Sequence, residues 1–421
     1  MTLTKILPRT PTNLRRLALK AAGIAMVSFV LCPAAAYSQG GIPIWTNRYN
    51  APGNVQDIAY ANTVAVDSSN NVIVTGSSDN GTNSDYATIK YSSAGVPLWI
   101  NRYNGLGNGD YKVFALAVDG SNNVVVTGTG YDVNGSSIEY ATIQYSSGGV
   151  PLWTNRYDGP GNGGGAAIAV AVDGSNNVIV TGTSDNGANF DYATIKYSRA
   201  GVPLWTNRYN GPGNGYDYIH AVVVDGSNNV IVTGEAFVSG SDYDYAVIKY
   251  SSAGAPLWTN RYHGPGNGED FTTALAVDAG NNVFVTGQST GSGSDYDYAT
   301  IAYSSAGVPL WTNRYNGPGN GDDNGTSITV DRSGNVFVTG QSFGGNTIDY
   351  ATIKYSSVSL SPIPLNFQTA GNQMVLSWAN AAFGLQSAPA VTGTFTNIPS
   401  AASPFTNPIS GGQQFFRLQG N

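Results

Sequence analysis

One tryptophan-centred motif, P-[LI]-W-[TI]-N-R-Y, recurs six times in this 421-residue chain, at Trp45, Trp99, Trp153, Trp205, Trp258 and Trp311, with spacings of 52 to 54 residues. A period of that length admits few folds, because each unit must be one supersecondary element that buries its apolar face against its neighbours. Between the tryptophans, Asp67, Asp119, Asp173, Asp225, Asp278 and Asp331 each close a short apolar stretch such as "ALAVD". Each leads into "SNNVxVTG" or a close variant, and then into "DYATIKYSSAGVPLW". Alternation, β-branched residues and Gly/Asn/Ser turns give four strands per unit: A ("AVAVD"), B ("NVIVTG"), C ("YATIKY") and D ("PLWTNRY"). No stretch after residue 40 carries a helical period.

About fifty residues in four antiparallel strands is the pattern of a β-propeller blade; the rungs of a parallel β-helix are shorter and lack tight hairpins. The chain offers six A–B–C sets and six D strands, but out of phase. The first D strand (44–49) precedes any A strand, and the last set ends at Tyr355 with no D strand after it. A six-bladed ring closed by the N-terminal strand removes both loose ends and leaves no open sheet edge. The units "DYATIKYSSAGVPLWTNRYNGPGN…AVAVDGSNNVIVTG" resemble the bacterial seven-bladed beta propeller (SBBP) repeat family over roughly residues 44–357. That resemblance implies a secreted or surface propeller and brings no catalytic residues with it.

The ends differ in composition. Residues 1–38 carry five basic residues, then "AAGIAMVSFVL", then small residues around Ala36 and Ser38, which reads as an export signal. The apolar run is too short to anchor the chain in a bilayer, and no transmembrane segment is expected in the mature protein. "RRLALK" partly matches the twin-arginine pattern, leaving that route and the general route both open. The only cysteine, Cys32, falls in this signal, so no disulfide or cysteine metal site is expected beyond it. Of 19 Lys and Arg, removal of those five leaves 14 against 26 Asp and Glu, a net charge of −12. Such a surface repels nucleic acid and suits an exported monomer that is extracellular, on the cell surface or periplasmic. The domains are therefore read as 1–38 signal, 39–357 propeller, 358–363 linker ("SLSPIP" at its core) and 364–421 a small β-sandwich-like module. The W…LQSA…FFRL order of the last resembles a small β module that ends secreted bacterial proteins.

Several motifs look catalytic. "NGPGNG" is glycine-rich and follows a strand, but a phosphate cradle needs a helix N-terminus after it, and here the next strand follows. It is a turn. "GQSTG" (287–291) and "GQSFG" (340–344) fit G-x-S-x-G without the strand-to-helix elbow or a partnering histidine. His220 and His263 fall on strand A and strand D of one unit, about 14 Å apart at roughly 4.8 Å per strand, and read as repeat variants. The six Asp at the A-strand ends read as caps of their own turns.

The remaining acids are more informative. Most fall in or beside the D–A and B–C connections, which share one face and vary between copies, whereas the opposite turns hardly vary. A varied, acidic, Tyr-bearing face on a regular scaffold suggests recognition of a glycan, a peptide or a surface protein. The candidate contacts are Tyr131, Asp217, Tyr218, Asp242, Tyr243, Asp295 and Tyr296. The favoured expectation is thus a secreted, non-enzymatic binding or scaffold propeller. The alternative is a propeller enzyme (lyase, hydrolase or quinoprotein dehydrogenase) with its active site on that face. No cofactor is expected; calcium is the ion the acids suit, through Asp242, Asp295, Asp322 and Asp323. Finally, with Tyr91 opposite Val96, each acid before "YA" falls opposite the Arg of the next "NRY". The pairs are Asp85–Arg102, Glu139–Arg156, Asp191–Arg208, Asp244–Arg261 and Asp297–Arg314. Ring closure adds Asp349–Arg48. Each is expected to be an exposed pair of small value.

Overall fold

The computed structural model describes residues 43–51, 57–58, 63–105, 109–131, 137–161, 163–240, 242–293, 295–356, 365–379, 383–390, 393–399, 401–409 and 413–420. The export signal at 1–38, Cys32 within it and the linker at 358–363 lie outside the described residues. The chain divides into two units, Met1–Thr46 and Asn47–Asn421; the described part of the first forms no strand, and all sheets belong to the second.

Every described element is a strand, and the repeats form antiparallel sheets in the order A–B–C–D. In the third repeat these strands are Gly165–Val172, Val178–Asp185, Phe190–Tyr197 and Pro203–Tyr209. The first repeat splits strand A into Asp57–Ile58 and Val64–Val66. The sixth has three strands, Asn324–Val330, Val336–Phe343 and Ile348–Tyr355. The 364–421 region forms two three-stranded sheets over a core of Leu376, Trp378 and Leu385.

The core lies between successive blades. Ile179 and Tyr192 of the third repeat, for example, pack with Ile219, Val230, Val232 and Ile248 of the fourth. The recurrent D-strand residues are the latches of this stack. Trp205 Nε1 and Asn207 Nδ2 donate to Ser252 O and Gly254 O of the next blade's C–D hairpin, at 3.2 and 2.8 Å. Gly254 has φ +86°, and a Cβ there would meet the Trp205 ring at 2.7 Å, so glycine is required. The six Asp caps are as expected: Asp173 Oδ1 accepts from the backbone N–H groups of Ser175 and Asn177. Sequence reading missed their second partner. Lys196 of strand C is buried with its Nζ 2.8 Å from Asp173 Oδ2, and the same Nζ donates to Ser252 O of the next blade; Lys90–Asp67 and Lys249–Asp225 repeat the pair.

The C–D register differs from the expected one. Tyr91 lies opposite Pro97, and a further bulge between Lys90 and Tyr91 brings Arg102 opposite Ala87. The Ser92–Gly95 turn, with Gly95 at φ +79°, adds the first offset. The acid–arginine pairs form nonetheless, diagonally, because a guanidinium spans two residues of ladder. Arg102–Asp85 (2.8 Å), Arg208–Asp191 (3.1 Å), Arg314–Asp297 (2.8 Å) and Arg156–Glu139 are all made. They are not exposed pairs: the acids are buried. Arg208 and Arg314 also bind the B-strand Ser184 and Ser289, and the preceding blade's Tyr157 and Tyr262 hydroxyls. Asp244–Arg261 is not formed; His263 Nδ1 takes that carboxylate at 2.8 Å.

Asp349–Arg48 is not formed either. Among the described strands, Ile348–Tyr355 pairs only with Val336–Phe343, so the expected closure by residues 44–49 is not formed. Asn47 instead donates to Gly95 O at 2.7 Å, and Tyr49 accepts from Arg102 at 3.0 Å. These are the contacts a D strand makes with the blade that follows it.

Candidate functional site

The D–A loop that first resembles a phosphate cradle is held as a turn by a buried carboxylate. Asp217 Oδ2 accepts from Gly211 N–H at 2.6 Å and Oδ1 from Phe237 N–H at 2.8 Å; Asp323 does the same with Gly317 and Phe343. Burial is the main reason the Asp217 carboxyl is pushed up to about 6, with its two backbone donors opposing. Asp217 is fully buried, so it shapes the face from beneath. Ser289 and Ser342 of the G-x-S-x-G matches lie at strand B ends; Ser289 Oγ accepts from Arg314. They are parts of the scaffold.

The A strands supply the most informative geometry. Each described A–B ladder from the second to the sixth repeat carries one bulged residue on strand A: Phe114, Ile168, His220, Thr273 and Thr326. A bulge re-aims its side chain, and all five line one cavity of about 550 Å³. That volume suits a small ligand or a few sugar units. His220 is the only titratable residue among those lining it. Its Nε2 is hydrogen-bonded to Glu235 Oε2 across the A–B hairpin, and Glu235 is buried while the imidazole is partly exposed. Beside Glu235 lie Tyr192, whose buried hydroxyl has no partner, and Tyr218 and Tyr243. Burial raises the phenols of Tyr218 and Tyr243, and Glu235 adds to the effect.

From this corner a row of rings crosses three repeats: Phe190–Tyr216 (5.9 Å), Tyr216–Tyr218 (6.3 Å, 7° between planes), Tyr218–Tyr243 (6.4 Å), Tyr243–Phe271 (5.9 Å) and Phe271–Tyr296 (6.2 Å). Tyr296 donates to Glu269 at 3.1 Å. Of the sequence candidates, the structure thus brings Tyr218, Tyr243 and Tyr296 into one row. Tyr131 packs elsewhere, against Tyr111, and Asp242 and Asp295 are half-buried on their loops.

The four calcium candidates lie in three separate loops, and two of them are already engaged by the backbone. Asp323 spends both oxygens on backbone donors, and Asp322 caps Tyr296 N–H at 3.1 Å. Among the described residues, one trio of ligand atoms lies within 4.8 Å: Asp244, His263 and Asp270. Its bonds are those of the scaffold, since Asp270 clamps Gly264 and Thr290 as Asp217 clamps its own loop, and His263 fills the place of the arginine. The Asp244 hydrogen bond is the leading reason that the His263 imidazole is raised.

His220 and Glu235 were legible only in part. His220 stands where other described repeats carry Phe, Ile or Thr, and Glu235 where they carry Ser, Thr or Gln. Two departures in one hairpin were the available signal.

Comparison with solved structures finds propellers. The chain is similar to the beta-propeller domain of the Trilobed protease from Pyrococcus furiosus, described as having an open velcro topology (6% identity, TM-score 0.36, 71% of this chain and 86% of that one). It is also similar to the alpha-L-arabinofuranosidase Arb93A from Fusarium graminearum (11%, 0.42, 72% and 96%) and the polysaccharide lyase Uly1 (11%, 0.42, 92% and 94%). These neighbours are enzymes or parts of one, so the non-enzymatic reading of the acidic face finds no support among them. At these values the likeness describes the fold alone, so the residues of the chain must carry any activity. No curated protein matches. The SBBP beta-propeller repeat matches residues 310–346, and the chain is accordingly an all-β protein carrying the SBBP propeller repeat.

Proposed function

We propose that this protein is a propeller enzyme, a hydrolase working by general acid–base chemistry, with His220 and Glu235 as its proton-transfer pair. The observation that carries this reading is the placement of His220 as the only titratable group lining the 550 Å³ cavity, with a buried carboxylate on its Nε2. The Glu235 bond orients the ring, and Nδ1 takes a proton from the attacking water and returns it to the departing sugar oxygen. No Lys or Arg lines the cavity, so nothing there would neutralise a uronate for elimination, which favours hydrolysis over a lyase reaction. The acids around the row (Glu235, Asp242, Glu269) repel polyanions, while stacked rings suit the apolar faces of sugars. The substrate class is therefore a neutral glycan. The export signal read at 1–38 would deliver such an enzyme outside the cytoplasm, on a scaffold of six blades.

The test is release of reducing ends from a panel of neutral polysaccharides by the purified chain, with His220→Ala and Glu235→Gln alongside. Activity lost at least a hundredfold in His220→Ala, with unchanged melting, is expected. Turnover by His220→Ala equal to that of the unaltered chain would overturn the assignment, as would a panel with no turnover.

A further inference from the structure

The last repeat ends on an uncovered strand whose five sisters are covered. In Ile348–Tyr355, Tyr350 is 87% exposed, whereas its equivalents Tyr86, Tyr140, Tyr192, Tyr245 and Tyr298 are at most 1% exposed. Each sister packs against the tyrosine of its own D strand, as Tyr140 does on Tyr157 at 5.3 Å. Four of the five hydroxyls reach a backbone carbonyl of the next blade, as Tyr140 reaches Ala193 O at 3.3 Å. Among the described residues, Tyr350 therefore has neither a D strand beside it nor a following blade over it. At the other end of the stack, Val64 and Val66 of the first repeat are 66% and 59% exposed, and no blade among the described residues packs over them. A D-type sequence, "PIWTNRY" (43–49), stands in front of that repeat. Through Asn47 and Tyr49 it already makes the contacts that D strands make with the following blade.

The two ends are complementary, and we propose that they meet between copies: the 43–49 segment of a second copy adds to strand Ile348–Tyr355, and that copy's first repeat covers Tyr350. The interface is heterologous and head-to-tail, and its affinity comes from strand addition with a side-chain pattern that each internal blade boundary already displays. This replaces the monomer expected from sequence, and it is independent of the enzymatic reading. The sister ladders fix the register. Ala193 lies opposite Arg208 and Thr194 opposite Asn207, so Ala351 should face Arg48 of the second copy.

In a Cys32→Ser background of the full chain, Ala351→Cys and Arg48→Cys are made separately and together; opposed positions in a ladder lie within disulfide reach. Oxidation of the mixed single variants should give a disulfide-linked pair containing one of each, and the double variant should give a ladder of oligomers. Light scattering of the unaltered chain should show a mass that rises with concentration, and deletion of residues 43–50 should abolish the rise. A double variant that forms only an intramolecular disulfide in a monomer would overturn the proposal in favour of ring closure. Absence of any cross-link in the mixture would also overturn it.

Discussion

Lys196→Ala tests how much the buried lysine contributes to the stack. Lys196 and Asp173 side chains are each 2% exposed, their atoms are 2.8 Å apart, and Nζ also donates to Ser252 O at 3.1 Å. Deleting one partner of a buried pair costs about 3–5 kcal/mol, chiefly because the other charge is left without its counter-ion. Asp173 would keep three donors, Ser175 N–H, Asn177 N–H and Asn177 Nδ2, which places the loss at the lower end, about 3 kcal/mol. Two other repeats calibrate the value. Gln144 occupies the lysine position of the second repeat and reaches Asp119 at 3.1 Å, so Lys196→Gln should cost only about 1 kcal/mol. Ala302 occupies it in the fifth, beside an Asp278 that is less buried than Asp173. Urea unfolding followed by fluorescence gives the overall loss; hydrogen exchange of the Asp173–Asn177 turn shows whether it is local, as quasi-one-dimensional stacks allow. Burial alone would raise the Asp173 carboxyl, but Lys196 and Asn177 outweigh it and hold it low. The associated stability is thus present above about pH 4 and lost as pH falls through the lowered value, and Lys196→Ala should shrink that acid-side loss. A cost under about 0.5 kcal/mol for Lys196→Ala, or equal costs for Ala and Gln, would refute the reasoning.

Other outcomes follow from the same contacts. Arg314→Lys should lose about 1–2 kcal/mol in urea unfolding, because an ammonium cannot serve Tyr262, Ser289 and Asp297 together; Arg261→Lys, with no Asp244 pair to lose, should cost less. Asp217, with its carboxyl at about 6 in the folded state, should make stability fall as pH rises from about 4 to above 6. That slope, read from denaturant midpoints across the window, should flatten in Asp217→Asn. Melting temperatures with added calcium and with chelator should agree, since Asp323 spends both oxygens on backbone donors and Asp322 caps Tyr296.

The sequence by itself determined the all-β blade pattern, the strand order within each blade and the capping role of the A-strand aspartates. Those properties are local: period-two alternation, turn residues and a carboxylate two residues from the N–H it accepts all act within one unit. It also found four of the six expected acid–arginine pairs, although their register came out two residues off because bulges leave no mark in the alternation. Only the tertiary structure decided what neighbouring units share. The buried lysine's bond to the next blade's hairpin carbonyl and the tyrosine under the next blade's arginine are contacts between repeats. The lysine's ion pair with the aspartate joins strands C and A, which are not neighbours in the sheet. Repetition shows that such residues matter without showing what they touch. His220 and Glu235 became a pair only when a strand A bulge turned the imidazole across the hairpin. The loose ends at 43–49 and 348–355 were visible in the sequence, but whether they meet depends on the curvature of the stack. That curvature is summed from small rotations at each blade boundary, and no single repeat encodes it.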